Sequence, residues 1–262
     1  MNNTFFQLKS FFTYFLDNVD DHSLHSPFFF TFYTHILKTH LLSESTTRLE
    51  SYRKRLVEDD RSLMVEDLGA GSAHFKSNSP RKVSDIARTS LSPRKFCNLY
   101  SRIIKEYDYK NVVELGTSLG LNSLYLGLSA TTRVRTFEGS ESVATIAEEL
   151  FSLAGSQNIK LVRGNIDLTL PVELGTTDTL DFALIDANHR YAPTLKYFDM
   201  LASKVSEKGM VVIDDIHASQ QMEKAWKSIQ EDVRVHATAD LYRCGLVFFD
   251  PSLDKQHVVL RF

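Results

Sequence analysis

From about residue 111 onward, short apolar segments alternate with amphipathic segments of helical period. This alternation is typical of a parallel sheet whose strands are joined by crossover helices. The predicted strands span 111–115, 134–137, 159–162, 181–185 and 210–213, and the predicted helices span 120–130, 141–154, 191–205 and 219–231. Two or three further strands are predicted at 233–237, 246–249 and 257–260. We therefore expect an α/β fold with a mostly parallel seven-stranded sheet and an antiparallel edge.

The first 90 residues do not follow this alternation. They comprise a Phe-rich start, a polar helical stretch over about 45–59 and a turn-rich stretch over 60–83. A further helix is predicted over 92–107, with Ser92 at the N-cap and Pro93 at the first helical position. We therefore expect a helical N-terminal extension or cap over 1–90 and an α/β domain over 91–262.

Composition and charge limit the partners. A formal net charge of -3 and a pI near 6.3 supply no field that would gather a polyanion, so we expect no nucleic-acid partner. No apolar run has the length of a membrane span, and the start of the chain lacks the basic region of a signal peptide. Cys97 and Cys244 have no metal-ligand spacing and are expected to be buried thiols. These features predict a cytoplasmic protein.

One predicted strand leads through a glycine turn directly into a helix, and this connection is a candidate ligand loop. Gly116 and Gly120 let the backbone approach a ligand closely, and a helix N-terminus favours an anion. The spacing is G-x-x-x-G, whereas a dinucleotide fingerprint requires G-x-G-x-x-G to hold a pyrophosphate. The loop therefore favours a smaller anion such as a carboxylate, and it argues against NAD.

The next predicted strand ends in Glu138, whose carboxylate can accept hydrogen bonds from both hydroxyls of a ribose. A solvated strand-end carboxylate is the alternative. A second glycine-rich segment, residues 65–72, competes for the role of ligand loop. No amphipathic helix and no strand ending in an acid follow that segment, so we predict that it is an ordered turn or lid.

The glycine loop, Glu138 and the segments 181–189 and 209–215 together resemble the class I S-adenosylmethionine-dependent methyltransferases. The greatest similarity is to catechol O-methyltransferase-like and bacterial small-molecule O-methyltransferases, over about residues 84–231. The resemblance implies a Rossmann-like fold, the cofactor S-adenosylmethionine and a small-molecule acceptor. It also implies the cofactor-binding residues, which are Gly116, Thr117, Ser118 and Asn122 near the methionine end, Glu138 at the ribose, Gly164, Asn165 and Ile166 at the adenine, and in addition Glu114, Gly120 and Asp186.

Metal-dependent members of the family bind a divalent cation through the acid that ends the fourth strand and two residues that end the fifth. Here those positions are Asp186, Asp214 and Asp215, although the family often has Asn at the last. Three carboxylates in one crevice repel each other unless a cation compensates them, and Mg²⁺ with oxygen ligands would do so. It would also lower the pKa of an acceptor hydroxyl. The alternative is an acid that contacts cofactor or substrate without an ion.

Asp186 and His189 are the predicted catalytic residues. His189 stands where metal-dependent members tend to have a Lys general base, and a neutral imidazole can accept a hydroxyl proton near pH 7. A structural role for His189 is equally open. His217 is a second candidate base, and Arg190 and Tyr191 are candidates for the acceptor pocket.

Two points stay open from the sequence. The acceptor could be a nitrogen or a protein side chain instead of an oxygen, or the chain could bind the cofactor without catalysis. The N-terminal extension carries an aromatic stripe at helical spacing, formed by Phe5, Phe6, Leu8, Phe11, Phe12, Phe15 and Leu16. We expect this stripe to pack on the domain or to form a homodimer, with an acceptor lid or a membrane-surface contact as alternatives.

Overall fold

The computed structural model describes residues 3–39, 44–65 and 80–262. Its helices are α1 Asn3–Asp17, α2 Pro27–Phe32, α3 Glu44–Val57, α4 Val83–Ser90, α5 Arg94–Glu106, α6 Leu121–Leu126, α7 Glu141–Ala154, α8 Ile166–Gly175, α9 Tyr191–Ala202 and α10 Gln220–Gln230. Its strands are β1 Ser62–Met64, β2 Pro80–Lys82, β3 Asn111–Leu115, β4 Arg133–Glu138, β5 Ile159–Arg163, β6 Leu180–Ile185, β7 Val205–Asp214, β8 Ala237–Asp240, β9 Cys244–Phe248 and β10 Gln256–Val259.

The chain divides into two compact units. We call His40–Thr176 the central unit, and Met1–Thr39 together with Thr177–Phe262 the terminal unit. The predicted division into residues 1–90 and 91–262 stays a prediction.

In the central unit, β3, β4 and β5 run parallel to one another. The apolar residues of β3 are fully buried, which explains its near-continuous hydrophobic run. Helix α5 places Leu99, Tyr100, Ile103 and Ile104 on one buried face, as its periodicity predicts. The helix begins at Arg94 with Pro93 as its N-cap, one position later than the sequence suggested.

In the terminal unit, β6 and β7 are parallel, and β7 pairs antiparallel with β9. Strand β9 pairs antiparallel with β8, and β8 pairs parallel with β10. The antiparallel edge is therefore confirmed, and the fold is a mostly parallel α/β fold of the Rossmann-like type. The tail supplies three strands, so the described α/β region, β3 to β10, has eight strands instead of the predicted seven.

Two local predictions differ from the structure. The first tail strand was predicted at 233–237 but begins at Ala237, because Asp232 organises a turn by accepting hydrogen bonds from Arg234 and Val235. Helix α8 was not predicted, because Pro171 lies inside it and its apolar residues lack a helical period.

Several further expectations can be compared with the described residues. Cys97 and Cys244 are both free and buried, as predicted. Burial raises the pKa of the Cys97 thiol to about 12. Among the described residues, none of the helices is long and apolar enough to cross a membrane. Of the competing glycine-rich segment 65–72, residues 66–72 lie outside the described residues.

Gly120 sets how closely the start of α6 approaches α7. Its φ of +83° lies in the left-handed region, and a Cβ there would lie 2.8 Å from Phe151 Cε1 and 3.1 Å from Ala147 Cβ. Gly155 has a φ of +68°, but a Cβ there would meet nothing within 4 Å. An alanine at Gly155 therefore introduces backbone strain alone, whereas an alanine at Gly120 introduces both backbone strain and steric overlap.

We predict that Gly155→Ala lowers the free energy of unfolding by about 1–2 kcal/mol, the usual cost of a left-handed residue with a side chain. Gly120→Ala should cost about 1 kcal/mol more, since α7 must also move. Urea denaturation of both variants measures the difference. Equal losses would show that the contact between Gly120 and α7 is unimportant.

Candidate functional site

The glycine loop between β3 and α6 is anchored on the end of β4. The backbone N–H groups of Gly116 and Thr117 donate to the carbonyl oxygen of Phe137 at 3.1 and 3.0 Å. Gly116 and Ser118 have φ values of +100° and +48°. Left-handed backbone at a non-glycine residue such as Ser118 is costly and persists where surrounding contacts enforce it.

Glu138 supplies such a contact. One of its carboxylate oxygens accepts a hydrogen bond from the Ser118 N–H, and the other accepts one from the Ser140 N–H, each at 2.9 Å. Two charge-assisted bonds fix both the loop and the orientation of this half-buried carboxylate.

Glu114 is the buried centre of the loop, with an exposed fraction of only 1%. Its carboxylate accepts hydrogen bonds from Asn122 Nδ2 at 2.8 Å and Thr136 Oγ1 at 2.6 Å, and also from Ser123 Oγ. A buried carboxylate needs such partners, because an uncompensated one would be strongly destabilising. Glu114 thus joins β3, β4 and α6, and its predicted contact with a cofactor stays a prediction.

Asn122 presents a buried acceptor. Because Nδ2 donates to Glu114, the orientation of the amide is fixed, and Oδ1 is buried with no hydrogen-bond partner among the described residues. Buried polar atoms normally have partners, so this oxygen is suited to a donor on a ligand.

The connection from β5 to α8 is tied to the same end of β4. The Gly164 N–H donates to the Glu138 carbonyl oxygen at 2.9 Å, and Gly164 has a φ of +113°. Asn165 caps α8 by accepting from the Asp167 N–H at 2.9 Å, and Ile166, the first residue of α8, is half-buried. The structure therefore brings these predicted residues to the carboxyl ends of β4 and β5, near Glu138.

In the terminal unit, Asp186 follows β6 and lies beside His189, with His189 Nε2 3.4 Å from Asp186 Oδ1. Burial lowers the pKa of His189, but the bond and charge of Asp186 outweigh that effect. With added contributions from Asp215 and Asp214, the pKa rises to about 9. His189 is therefore charged at neutral pH, which differs from the neutral imidazole expected from the sequence.

Asp214 is the last residue of β7, and its side chain is only 1% exposed. It forms a bidentate ion pair with Arg243. Arg243 Nη2 lies 2.7 Å from Asp214 Oδ2, and Nε lies 3.2 Å from Oδ1. Burial raises the pKa of Asp214, the charges of Asp186 and Asp215 raise it further, and Arg243 opposes them. The three predicted acids are therefore close enough to affect one another, as the sequence suggested.

Two residues at these strand ends have left-handed backbone without being glycine, namely Asn188 with a φ of +51° and Asp215 with a φ of +55°. Strained backbone of this kind clusters at functional sites, because the strain sets the direction of particular side chains. Asp215 is half-buried in the turn after β7. The strain supports a functional role for both loops.

The predicted Mg²⁺ ligands do not fit a metal site in this arrangement. The described residues contain no group of three or more His, Cys, Asp or Glu side chains placed to hold a metal ion. Arg243 binds both carboxylate oxygens of Asp214, and the charged His189 lies beside Asp186. Two internal cations therefore compensate Asp214 and Asp186, and the Mg²⁺ site stays a prediction of the resemblance.

His217, the second candidate base, is engaged with Asp240. Its Nε2 lies 2.7 Å from Asp240 Oδ2, and its ring stacks on Tyr242 with the centroids 5.4 Å apart. Tyr191 packs on α10, with Lys224 Nζ 4.7 Å from its ring centroid, and Arg190 is exposed. The roles predicted for these side chains stay predictions.

Arg243 is the important side chain that sequence reasoning missed. It lies in the short turn between β8 and β9, and Cys244 pairs with Asp214 across the β7–β9 ladder. That register brings Arg243 alongside Asp214. The sequence shows that Arg243 precedes a predicted tail strand, but its pairing with Asp214 cannot be predicted without knowing the strand order.

Comparison with known proteins identifies the class. Solved structures with the same fold include the S-adenosylhomocysteine-bound methyltransferase PaMTH1 of Podospora anserina, at 14% identity over 82% of this chain and 92% of that chain, with a TM-score of 0.58. The O-methyltransferase TomG of Streptomyces achromogenes, involved in tomaymycin synthesis and solved with S-adenosylmethionine, matches at 13% identity over 85% and 94%, with a TM-score of 0.57.

A third structure is the O-methyltransferase of Bacillus cereus in complex with S-adenosylhomocysteine, at 17% identity over 80% of this chain and 93% of that chain, with a TM-score of 0.54. At these identities, the three likenesses establish a Rossmann-like methyltransferase fold. No curated protein sequence gives a significant match.

Residues 113–216 match the family Methyltransf_24, described as a methyltransferase domain. That span contains every predicted site residue from Glu114 to Asp215. This match identifies residues 113–216 as a methyltransferase domain within the Rossmann-like fold.

We predict that Arg243→Leu lowers the free energy of unfolding by about 2–3 kcal/mol, because it leaves the buried Asp214 charge uncompensated. The value is below that of a fully buried pair, since the Arg243 side chain is 29% exposed. The double variant Asp214→Asn/Arg243→Leu should recover more than half of the loss. Thermal and urea unfolding of the two single variants and the double variant measure the coupling. Additive losses would contradict the ion pair.

Proposed function

We propose that the chain transfers the methyl group of S-adenosylmethionine to an oxygen atom of a small molecule. The observation that carries the proposal is the glycine loop held on Glu138, within the segment that matches the methyltransferase domain. Its ordered backbone and oriented carboxylate suit a ligand that has both hydroxyl groups and a charged amino acid end.

The residues of the central unit fit this cofactor. The buried Asn122 Oδ1 suits the ammonium group of the methionine moiety, which supplies the missing donor. Glu138 suits the two ribose hydroxyls. Gly164, Asn165 and Ile166, at the end of β5 and start of α8, suit the adenine. In this assignment Glu114 acts as a positioning residue, because it fixes the orientation of the Asn122 amide.

Oxygen is favoured as the methyl acceptor by the imidazolium of His189 and by solved structures with this fold. When Asp186 takes up the acceptor proton, the charge of the His189 imidazolium is left to stabilise the negative charge that develops on the acceptor. Two of the solved structures with this fold are O-methyltransferases by name. An oxygen nucleophile develops such a charge as its hydroxyl proton leaves.

The proposed step is an in-line displacement. The acceptor oxygen forms a bond to the methyl carbon while the bond from that carbon to sulfur breaks, and S-adenosylhomocysteine leaves. The acceptor proton passes to Asp186, and the adjacent His189 imidazolium stabilises the oxyanion. A magnesium-assisted version stays a prediction of the resemblance, and this step does not use it.

The experiment incubates the chain with methyl-¹³C S-adenosylmethionine and a panel of phenols, catechols and aliphatic alcohols. We expect S-adenosylhomocysteine together with a product whose ¹³C shift is that of an O-methyl group. Asp186→Asn should lower turnover by about 100-fold, within the usual range for general acid–base catalysis. Asp178→Asn changes an exposed acid of the same unit and should leave turnover unchanged.

Three other outcomes would contradict the proposal or one part of it. N-methylated amines or methylated protein as the main product would contradict the oxygen acceptor. Turnover that is lost on chelation and restored by Mg²⁺ would contradict charge compensation by Arg243 and His189. No turnover of S-adenosylmethionine with any acceptor would contradict the proposal as a whole.

A further inference from the structure

One face of helix α1 packs on the rest of the terminal unit. Phe6 and Ser10 are buried, and Tyr14, one turn further along the same face, donates from its hydroxyl to the Leu260 carbonyl oxygen at 2.7 Å. Gln7 Nε2 donates to the Ala218 carbonyl oxygen at 3.0 Å. These bonds determine which face of the helix is left exposed.

The outward face of α1 is almost entirely apolar. Its residues are at least half exposed: Phe5 61%, Leu8 64%, Phe11 50%, Phe12 62%, Phe15 61% and Leu16 65%. Apolar surface of this size on a single helix is unusual for a surface that faces only water, and it is typical of an interaction site.

The spacing of four of these residues matches the seam of a coiled coil. Phe5, Leu8, Phe12 and Phe15 are separated by three, four and three residues, which is the alternation of a and d positions. We infer that this face is a dimer interface, on which α1 of a second copy of the chain packs in antiparallel orientation.

The pattern also determines the register. With a two-fold axis at the level of Ser10, Phe5 lies opposite the partner subunit's Phe15, and Leu8 lies opposite the partner subunit's Phe12. This register pairs each a position with a d position, as antiparallel packing requires. The interface is self-complementary and closes on itself, so it produces a dimer and not a filament.

The available area agrees with a dimer. Each large side chain of this face offers about 100–120 Å² when about 60% of it is exposed. The six side chains together therefore expose about 600–700 Å² per copy, and a dimer that covers all six reaches the lower limit of stable protein interfaces, about 600 Å² per partner.

The charges of α1 argue for a protein partner over a membrane. Helices that lie on membranes usually have several Lys or Arg residues on the polar face. Helix α1 contains one basic residue, Lys9, and one acidic residue, Asp17. It therefore offers no net attraction to anionic lipid.

The first measurement is sedimentation velocity of the full chain across a range of micromolar concentrations. We expect a dimer for the wild type and for Thr13→Glu, a control at an exposed position of α1 outside the seam. Phe12→Glu should weaken dimerisation by at least about 100-fold, because a carboxylate would be buried in an apolar seam. Its melting temperature and circular dichroism should stay close to those of the wild-type monomer, since Phe12 makes little contact within one copy.

Cross-linking tests the register. Under mild oxidation, a mixture of Leu8→Cys and Phe12→Cys chains should form a covalent heterodimer, whereas either variant alone should form little. A wild-type chain that is monomeric at all concentrations would overturn the proposal, and so would a wild-type chain that is monomeric in solution but co-sediments with phosphatidylserine vesicles. Equally efficient cross-linking of Leu8→Cys alone would overturn the antiparallel register.

Discussion

The buried carboxylate of Glu114 is the interaction on which the glycine loop depends. A charge with 1% exposure is tolerated only with full hydrogen bonding, and Asn122, Ser123 and Thr136 provide it. These bonds hold the start of α6 against β3 and β4, and they fix the Asn122 amide with its oxygen unpartnered. Glu138 then completes the loop from the end of β4 through the Ser118 N–H. The geometry of the glycine loop therefore depends on two carboxylates. Glu114 is buried and structural, and Glu138 is half-buried and held in one orientation by its hydrogen bonds.

In the terminal unit, acidic side chains are stabilised by positively charged side chains instead of by neutral hydrogen-bond donors. Three aspartates at the ends of β6 and β7 would repel one another if all were ionised without a counter-charge. Arg243 pairs with Asp214 and the imidazolium of His189 lies beside Asp186, so cations of the chain itself compensate two of the three acids. In this arrangement His189 carries a positive charge and is not the neutral imidazole that the sequence suggested.

Much of this could be predicted from the sequence. Most strands and helices of the α/β region were predictable because hydrophobic pattern and periodicity can be read from the local sequence. Glu138 was predictable because it ends the strand that follows the glycine loop. The role of Arg243 was not predictable, because it depends on the pairing of β9 with β7, a contact between distant residues. The charge of His189 was missed for a similar reason, since three carboxylates from two loops raise its pKa. Helix α8 was missed because tertiary packing overrides the weak local signal around Pro171.

In the proposed function Glu138 and the glycine loop bind S-adenosylmethionine, and isothermal titration calorimetry measures this binding. The wild-type chain should bind S-adenosylmethionine, and Glu138→Gln should bind it about 10–100-fold more weakly, as expected for the loss of charge-assisted hydrogen bonds. Glu148→Gln, which changes a carboxylate on α7 with a side chain 64% exposed, should bind like the wild type. No binding by the wild-type chain, or equal binding by the Glu138→Gln variant, would contradict this role of Glu138 and the glycine loop.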